Sequence, residues 1–394
     1  MPILIVLLLA GLLALDLMWF QPAALLPVIA DDLSMSYAQS GLILSVICLV
    51  AAVVGPFAGM ILNRLGLKNA FSATLVFLAA GSVGSLISNN FYSLLLMRVL
   101  IGAGIGLSLP IPGVAAVSWL SERNRPLLNT VYAVLPYIAT ALNFSLSVKL
   151  FMVFRDDWKL TLAVPGFLIL IVAAVWIFQR RISCSQDGGD GQSGFNAAGM
   201  REVLKDKQVR LICLAEACDM WGFQFLSSYL VTYLNEGGVP LEKAGAYSSV
   251  FPVAGIIAGL ACGALMVASG KRKIFTWPMH LAVFTGTLMI VFGKGALRMA
   301  GIFIAGFGNA GWAPALYTMP MEFKNMTANK VGLVYSAMFS LGFLAAFVSP
   351  PLGGKIAEII GLRSTLTAFA FFALLAAIAT FRMDETHPGT AADI

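Results

Sequence analysis

Twelve apolar runs, each about 18–28 residues long and separated by charged or turn-rich breaks, dominate this 394-residue sequence. A helix of that length crosses a hydrocarbon core of ~30 Å, whereas a barrel strand would alternate in polarity and end after about ten residues. The runs predict membrane helices near residues 3–30, 39–62, 70–88, 91–113, 127–152 and 159–179, then near 209–234, 242–267, 274–293, 298–319, 330–352 and 363–381. Hydrophobic residues make up 59% of the chain and charged residues 11%, where a soluble domain carries roughly 25% charged. The reading is an all-α integral membrane protein with twelve transmembrane helices. Residues 1–13 resemble a signal-peptide core, but no basic segment precedes them and they run into a polar-punctuated helix with a counterpart later in the chain; they are read as the first membrane helix.

The net charge of +6 is explained by cytoplasmic loops rich in Lys and Arg, and no nucleic-acid partner is needed. With both termini inside, cytoplasmic segments hold about 16 Lys and Arg, outer segments about 8, and Arg98 lies within a helix. This orientation predicts a multi-pass protein of the inner (plasma) membrane with cytoplasmic termini. The one long polar stretch, Gln179 to Gln208, contains SCSQDGGDGQSG. It reads as a flexible linker over 180–208 between an N-terminal bundle, 1–179, and a C-terminal bundle, 209–381, with a tail over 382–394. The cysteines (Cys48, Cys184, Cys213, Cys218, Cys262) show no ligand spacing, so neither a disulfide framework nor a zinc site is read.

The two halves match at a nearly constant offset. Asp16, Phe20 and Gln21 recur as Asp219, Phe223 and Gln224, and Val131-Tyr132 as Val334-Tyr335. Gly59, Gly66, Gly102, Gly104 and Pro110 recur as Gly263, Gly270, Gly306, Gly308 and Pro314. Matches spread over five helix pairs indicate a duplicated six-helix unit, a plan used by transporters with parallel repeats.

The stretch GMILNRLGLK, Gly59 to Lys68, resembles the loop between the second and third helices of the major facilitator superfamily, and RVLIGAGIG, Arg98 to Gly106, is similar to that family's fourth-helix pattern. Together with the twelve spans and the central loop, the resemblance covers essentially the whole chain. It implies two pseudo-symmetric six-helix bundles and alternating access to a small-molecule substrate. It also implies a gating role for Gly59, Asn63, Arg64, Gly66 and Lys68. The family's acid is replaced by Asn63, which brings no charge to a helix N-terminus, and the second copy has Val267 there.

In this fold the first and fourth helices of each half line a central cavity, so Asp16 and Asp219 are expected to face one another across it. Removal from water favours the neutral form of a carboxylate and a nearby cation favours the charged form, the tunability that proton coupling needs. Arg98, inside the fourth helix, costs at least ~2.5–3.5 kcal/mol unless paired or hydrated. It reads either as a guanidinium pinned to backbone carbonyls or, preferred here, as a holder of an anion or the partner of Asp16. Asp219, with Glu216 three residues before it on nearly the same face, is the expected proton carrier. Gln21 and Gln224 are candidates for substrate hydrogen bonds. Tyr132, Tyr137, Asn143, Asn309, Trp312, Tyr317 and Tyr335 sit on the spans expected to line the cavity and describe a mixed polar and aromatic pocket. The third, sixth, ninth and twelfth spans hold no charged residue in their cores, as lipid-facing helices should; His280 breaks the pattern.

Glu216, Cys218, Asp219 and Met220 suggest a metal, but consecutive helical residues diverge and no His is expected to join them, so no metal site is assigned. No GxxxxGK[ST] loop or nucleophile-base pair is present, which argues against ATP drive and against an enzyme. No cofactor is expected; the proton gradient supplies the energy. The sequence thus reads as a monomeric, proton-coupled symporter of a small organic solute, with an organic anion suggested by Arg98. Two alternatives stay open: proton-coupled efflux of cationic or amphipathic compounds, and a non-transporting sensor on the same scaffold.

Overall fold

In hydrocarbon a backbone must bond to itself, and helices do this within each segment. The computed structural model describes residues 2–120, 125–179, 197–323 and 326–386, and its regular elements are all helical. The chain divides into two compact units, Met1–Phe195 and Asn196–Ile394. Unit 1 holds α1 (Pro2–Asp32), α2 (Tyr37–Val83), α3 (Phe91–Ser108), α4 (Ile111–Trp119), α5 (Arg125–Val153) and α6 (Trp158–Phe178). Unit 2 holds α7 (Ala197–Val203), α8 (Lys207–Glu236), α9 (Leu241–Ser248), α10 (Val250–Ser269), α11 (Trp277–Phe292), α12 (Ala296–Gly311), α13 (Ala313–Glu322), α14 (Ala328–Ile360) and α15 (Leu362–Phe381).

Ten of these segments are long and apolar enough to cross a membrane among the described residues. The twelve expected spans are recovered by two observations. The second and third spans run together as Tyr37–Ile87, broken only at Gly66, whose φ of 73° and ψ of 161° reverse the chain. The seventh span, α8, is 30 residues long but is diluted by Glu216, Asp219 and Gln224. Gly66 and its repeat Gly270, φ 69°, both take left-handed φ, which only glycine adopts without strain.

The alternating glycines of α3 are packing devices. A Cβ on Gly102 or Gly106 would meet Ile47, Val50 or Val54 in the first arm of α2, and one on Gly104 would meet Thr74 and Leu78 in the second arm. Unit 2 repeats the arrangement: Gly306 lies against Phe251 of α10, and Gly308 against Met279 and Val283 of α11. Small residues of this kind let helix backbones approach where lipid gives no hydrophobic drive. Gly59 differs, since a Cβ there would meet nothing within 4 Å. Gly59 thus makes no close helix contact among the described residues, whereas Gly66 makes the tight turn.

Two boundaries differ from the sequence reading. Within the stretch read as a linker, α7 is helical and packs on α14, with Val203 buried in a cluster that includes Val209, Ile212 and Val334. Met200, Val203 and Leu204 thus tie α7 to the second unit ahead of α8. The first residues of the expected tail also belong to unit 2. Met383 is buried, Asp384 bonds to Gln208, and Glu385 accepts from the backbone N–H groups of Arg272 and Lys273. Linker residues 180–196, with Cys184, and tail residues 387–394 lie outside the described residues.

Candidate functional site

The segment ACDMWGFQ lies in the middle of α8, and helical spacing puts Glu216 and Asp219 one turn apart on one side. Both are almost wholly buried, and the donors around them are neutral. Tyr317 of α13 donates its hydroxyl to Glu216 Oε1 at 3.3 Å, and Asn309 of α12 donates Nδ2 to Asp219 Oδ2 at 3.3 Å. Tyr335 of α14 donates in turn to the main-chain carbonyl of Tyr317. Gly342 of α14 makes room, since a Cβ there would sit 3.2 Å from the Glu216 side chain. Glu216 Oε2 and Asp219 Oδ1 have no hydrogen-bond partner among the described residues.

Aromatic rings adjoin the acids. Trp312 meets Tyr317 edge-on at 5.6 Å, and Phe339 lies 5.5 Å from Tyr317 and stacks on Tyr335 at 6.1 Å. Trp312 is buried while Phe339 is 41% exposed, so the aromatic wall has one accessible end. Five residues from three spans of the sequence, Asn309, Trp312 and Tyr317, then Tyr335, then Asp219, therefore form one cluster with Glu216.

His280 of α11 enters the same cluster. It is fully buried, its Nδ1 lies 3.5 Å from Asp219 Oδ1, and its ring stacks on Trp312 at 5.3 Å. The expectation that no His would join the acids is corrected here. A lone polar residue in the apolar run WPMHLAVF was the available signal: so costly a group in hydrocarbon implies an inward partner.

Unit 1 uses its polar residues differently. Arg98 of α3 is buried and donates Nη1 to the Met18 carbonyl at 2.5 Å, Nη2 to Trp19 at 2.7 Å and Nε to Ile43 at 3.0 Å. The preferred reading, in which it holds an anion or Asp16, does not match this geometry. Pro22 explains why: lacking an N–H, it leaves the Met18 carbonyl without a helical donor and opens α1 there. Asn143 of α5 similarly donates to the Leu17 carbonyl at 2.8 Å, and Gln21 to the Thr161 carbonyl of α6 at 2.7 Å. These two side chains tie neighbouring helices together through their amide N–H groups.

Asp16 is half-buried, its Oδ2 has no hydrogen-bond partner among the described residues, and Tyr132 of α5 lies within range of its charge. Tyr137 is half-buried on α5. Gln224 is buried on α8 with Nε2 unpartnered. Among the gating candidates, Asn63 and Arg64 are exposed. Lys68 donates to the carbonyls of Ile177 at 3.0 Å and Gln179 at 2.9 Å, capping the C-terminal end of α6. Its repeat, Arg272, instead pairs with Glu322 at 2.9 Å.

A family model described as Major Facilitator Superfamily matches residues 6–347. The chain belongs to that superfamily. Its similarity to characterised members is spread along the chain. A gallate transporter of Pseudomonas putida is 23% identical over 390 residues, covering 90% of this chain and 85% of that protein. A 2-nitroimidazole transporter of Escherichia coli (strain K12) is 25% identical, covering 90% of this chain and 88% of that protein. Among solved structures, a bacterial homolog of the human lysosomal transporter Spinster superposes with a TM-score of 0.78 at 16% identity, covering 96% of this chain and 95% of that one, which supports the fold. Within the superfamily frame this chain is a multi-pass transporter, and Glu216 and Asp219 lie buried within its second unit.

Proposed function

We propose that the protein is a secondary active transporter that carries a small monocyclic aromatic solute, an aromatic acid foremost, in symport with protons by alternating access. The carrying observation is the pair of buried acids, Glu216 and Asp219, held by neutral donors beside the Trp312–Tyr317–Phe339–Tyr335 rings. Two carboxylates one turn apart repel in a dry interior, so their proton content responds to how wet the site is. A site alternately opened to water and closed from it can therefore take up and release protons.

The aromatic class is supported by the ring wall, whose faces suit offset or edge-on contact with a planar ring. It is also supported by two relatives named for gallate and 2-nitroimidazole, both aromatic. The reading does not rest on Arg98, three of whose five N–H donors serve backbone carbonyls. In this reading, protonation of the acid cluster lowers the negative charge that an incoming carboxylate would meet. The Lys and Arg bias supports cytoplasmic termini in an inner (plasma) membrane.

Efflux of cations is the second reading, favoured by two carboxylates among aromatic rings. Proteoliposomes with an imposed pH gradient separate the two. Accumulation of radiolabelled hydroxybenzoates with proton entry in the same direction is the expected result. Proton movement opposite to solute, or preference for cationic dyes or aliphatic acids over aromatic ones, overturns the proposal.

A further inference from the structure

His280 needs a role that packing does not supply. It is fully buried, and neither ring nitrogen has a hydrogen-bond partner among the described residues. As a filler of space it would leave polar atoms unpaired, at about 1–3 kcal/mol for each group. A phenyl ring would stack on Trp312 without that cost. The Asp219 oxygen nearest to it, Oδ1, is the one that Asn309 does not serve, and it too is unpartnered. Acceptor and potential donor thus face each other across 3.5 Å, one small side-chain adjustment from a hydrogen bond.

We infer that Asp219 and His280 form a single proton-sharing unit that holds the coupled proton of the C-terminal unit. This rests on the proton-coupled reading above. In the empty state the pair is a carboxylate and a neutral imidazole, with net charge −1. One proton from water makes it neutral overall, bound either to Asp219 Oδ1 with Nδ1 accepting or to Nδ1 with Oδ1 accepting. These two forms differ only in the position of that proton along the Oδ1–Nδ1 line, and release returns it to water. His280 thereby gives Asp219 Oδ1 a hydrogen-bond partner in the protonated pair, whichever of the two groups holds the proton.

The other titratable groups around the pair are acids or weak acids. Glu216 and Cys218 lie on α8, Tyr317 on α13 and Tyr335 on α14, while Cys262 of α10 lies 3.2 Å from where a Cβ on Gly311 would sit. No Lys or Arg bonds either carboxylate among the described residues, which leaves His280 as the one group able to bring positive charge to them. Glu216 supplies a second acid to the cluster, one turn away.

The sequence contains two histidines, His280 and His387, so imidazole-labelled protein gives a simple spectrum. The test is nitrogen NMR of the full chain in nanodiscs, labelled with 15N-histidine and carrying His387→Gln, titrated over pH. The expected result is a His280 transition whose midpoint moves by about one pH unit or more in Asp219→Asn, the size of a tenfold change in proton affinity. Glu216→Gln should move it less. In His280→Gln, the infrared carboxylic-acid band that vanishes in Asp219→Asn should shift, and gradient-driven uptake should fall to the level seen without a gradient while substrate exchange continues.

An identical His280 titration in wild type and Asp219→Asn overturns the inference, whatever transport does. If that titration is coupled but wild-type uptake ignores the pH gradient, the proton-coupled reading fails and the shared proton site stands. Should His280→Gln fail to fold, the effect of Asp219→Asn on the His280 resonances decides the matter alone.

Discussion

Arg98 donates from Nη1 to the carbonyl of Met18, the acceptor that Pro22 leaves without a helical donor four residues further along α1. The charge that the sequence offers for substrate is thus used to repair a backbone. Arg98→Ala should leave the Met18 carbonyl without a donor, remove the added bonds to Trp19 and Ile43, and lower unfolding stability in detergent by at least about 2 kcal/mol. Arg98→Lys should fall between, since one ammonium cannot reproduce the planar fork. Thermal unfolding followed by fluorescence checks this, and an alanine variant as stable as wild type would contradict it.

The same relationship predicts coupling. Pro22→Ala restores an N–H to the Met18 carbonyl, so Arg98→Ala should cost less in that background than in wild type. A double-mutant cycle should return an interaction of about 0.5–3 kcal/mol. Strict additivity would mean that the proline and the arginine act independently.

The glycine geometry separates two positions that look alike in sequence. A Cβ on Gly306 would collide with the backbone oxygen of Phe251, where no side chain can move aside, whereas one on Gly59 meets open space. Gly306→Ala should therefore cost about 1–3 kcal/mol or prevent folding, and Gly59→Ala should be close to neutral. Expression and melting temperature of the paired variants measure the difference.

The paired aspartates differ in surroundings despite their equivalent positions. Asp219 sits with Glu216, Asn309 and His280, while Asp16 has Tyr132 in range of its charge. Asp219→Asn should abolish gradient-driven accumulation yet leave counterflow exchange, because exchange needs no net proton release. Asp16→Asn should keep more of the gradient response. Equal loss in both, measured side by side in proteoliposomes, would return the proton role to the pair as a whole.

Two ion pairs in unit 2 differ in burial. Arg272 and Glu322 are mostly covered, and Glu322 also accepts from Thr386, whereas Lys355 and Glu358 form an i,i+3 pair with Lys355 largely in solvent. Glu322→Gln should destabilise the protein by about 3 kcal/mol or more by stranding a covered guanidinium, and Glu358→Gln by less than about 1 kcal/mol. Raising the salt concentration should narrow the second effect and leave most of the first.

The sequence by itself determined the number and length of the spans, the duplication and the glycine pattern. Those properties are carried by hydropathy over a helix length and by residues that act through their own backbone, such as Gly66 and Gly270. It also placed Glu216 and Asp219 on one side of α8, because i,i+3 spacing is local. The tertiary structure decided which groups meet. Arg98 reaches carbonyls on α1 and α2, and His280 reaches Asp219 from a helix that polarity alone assigned to the lipid. Periodicity gives relative angles around one helix but not the rotation of that helix against its neighbours, nor the reach of a long side chain across them. A partner that lies 80 residues away, as Met18 does from Arg98, is fixed only when the helices pack.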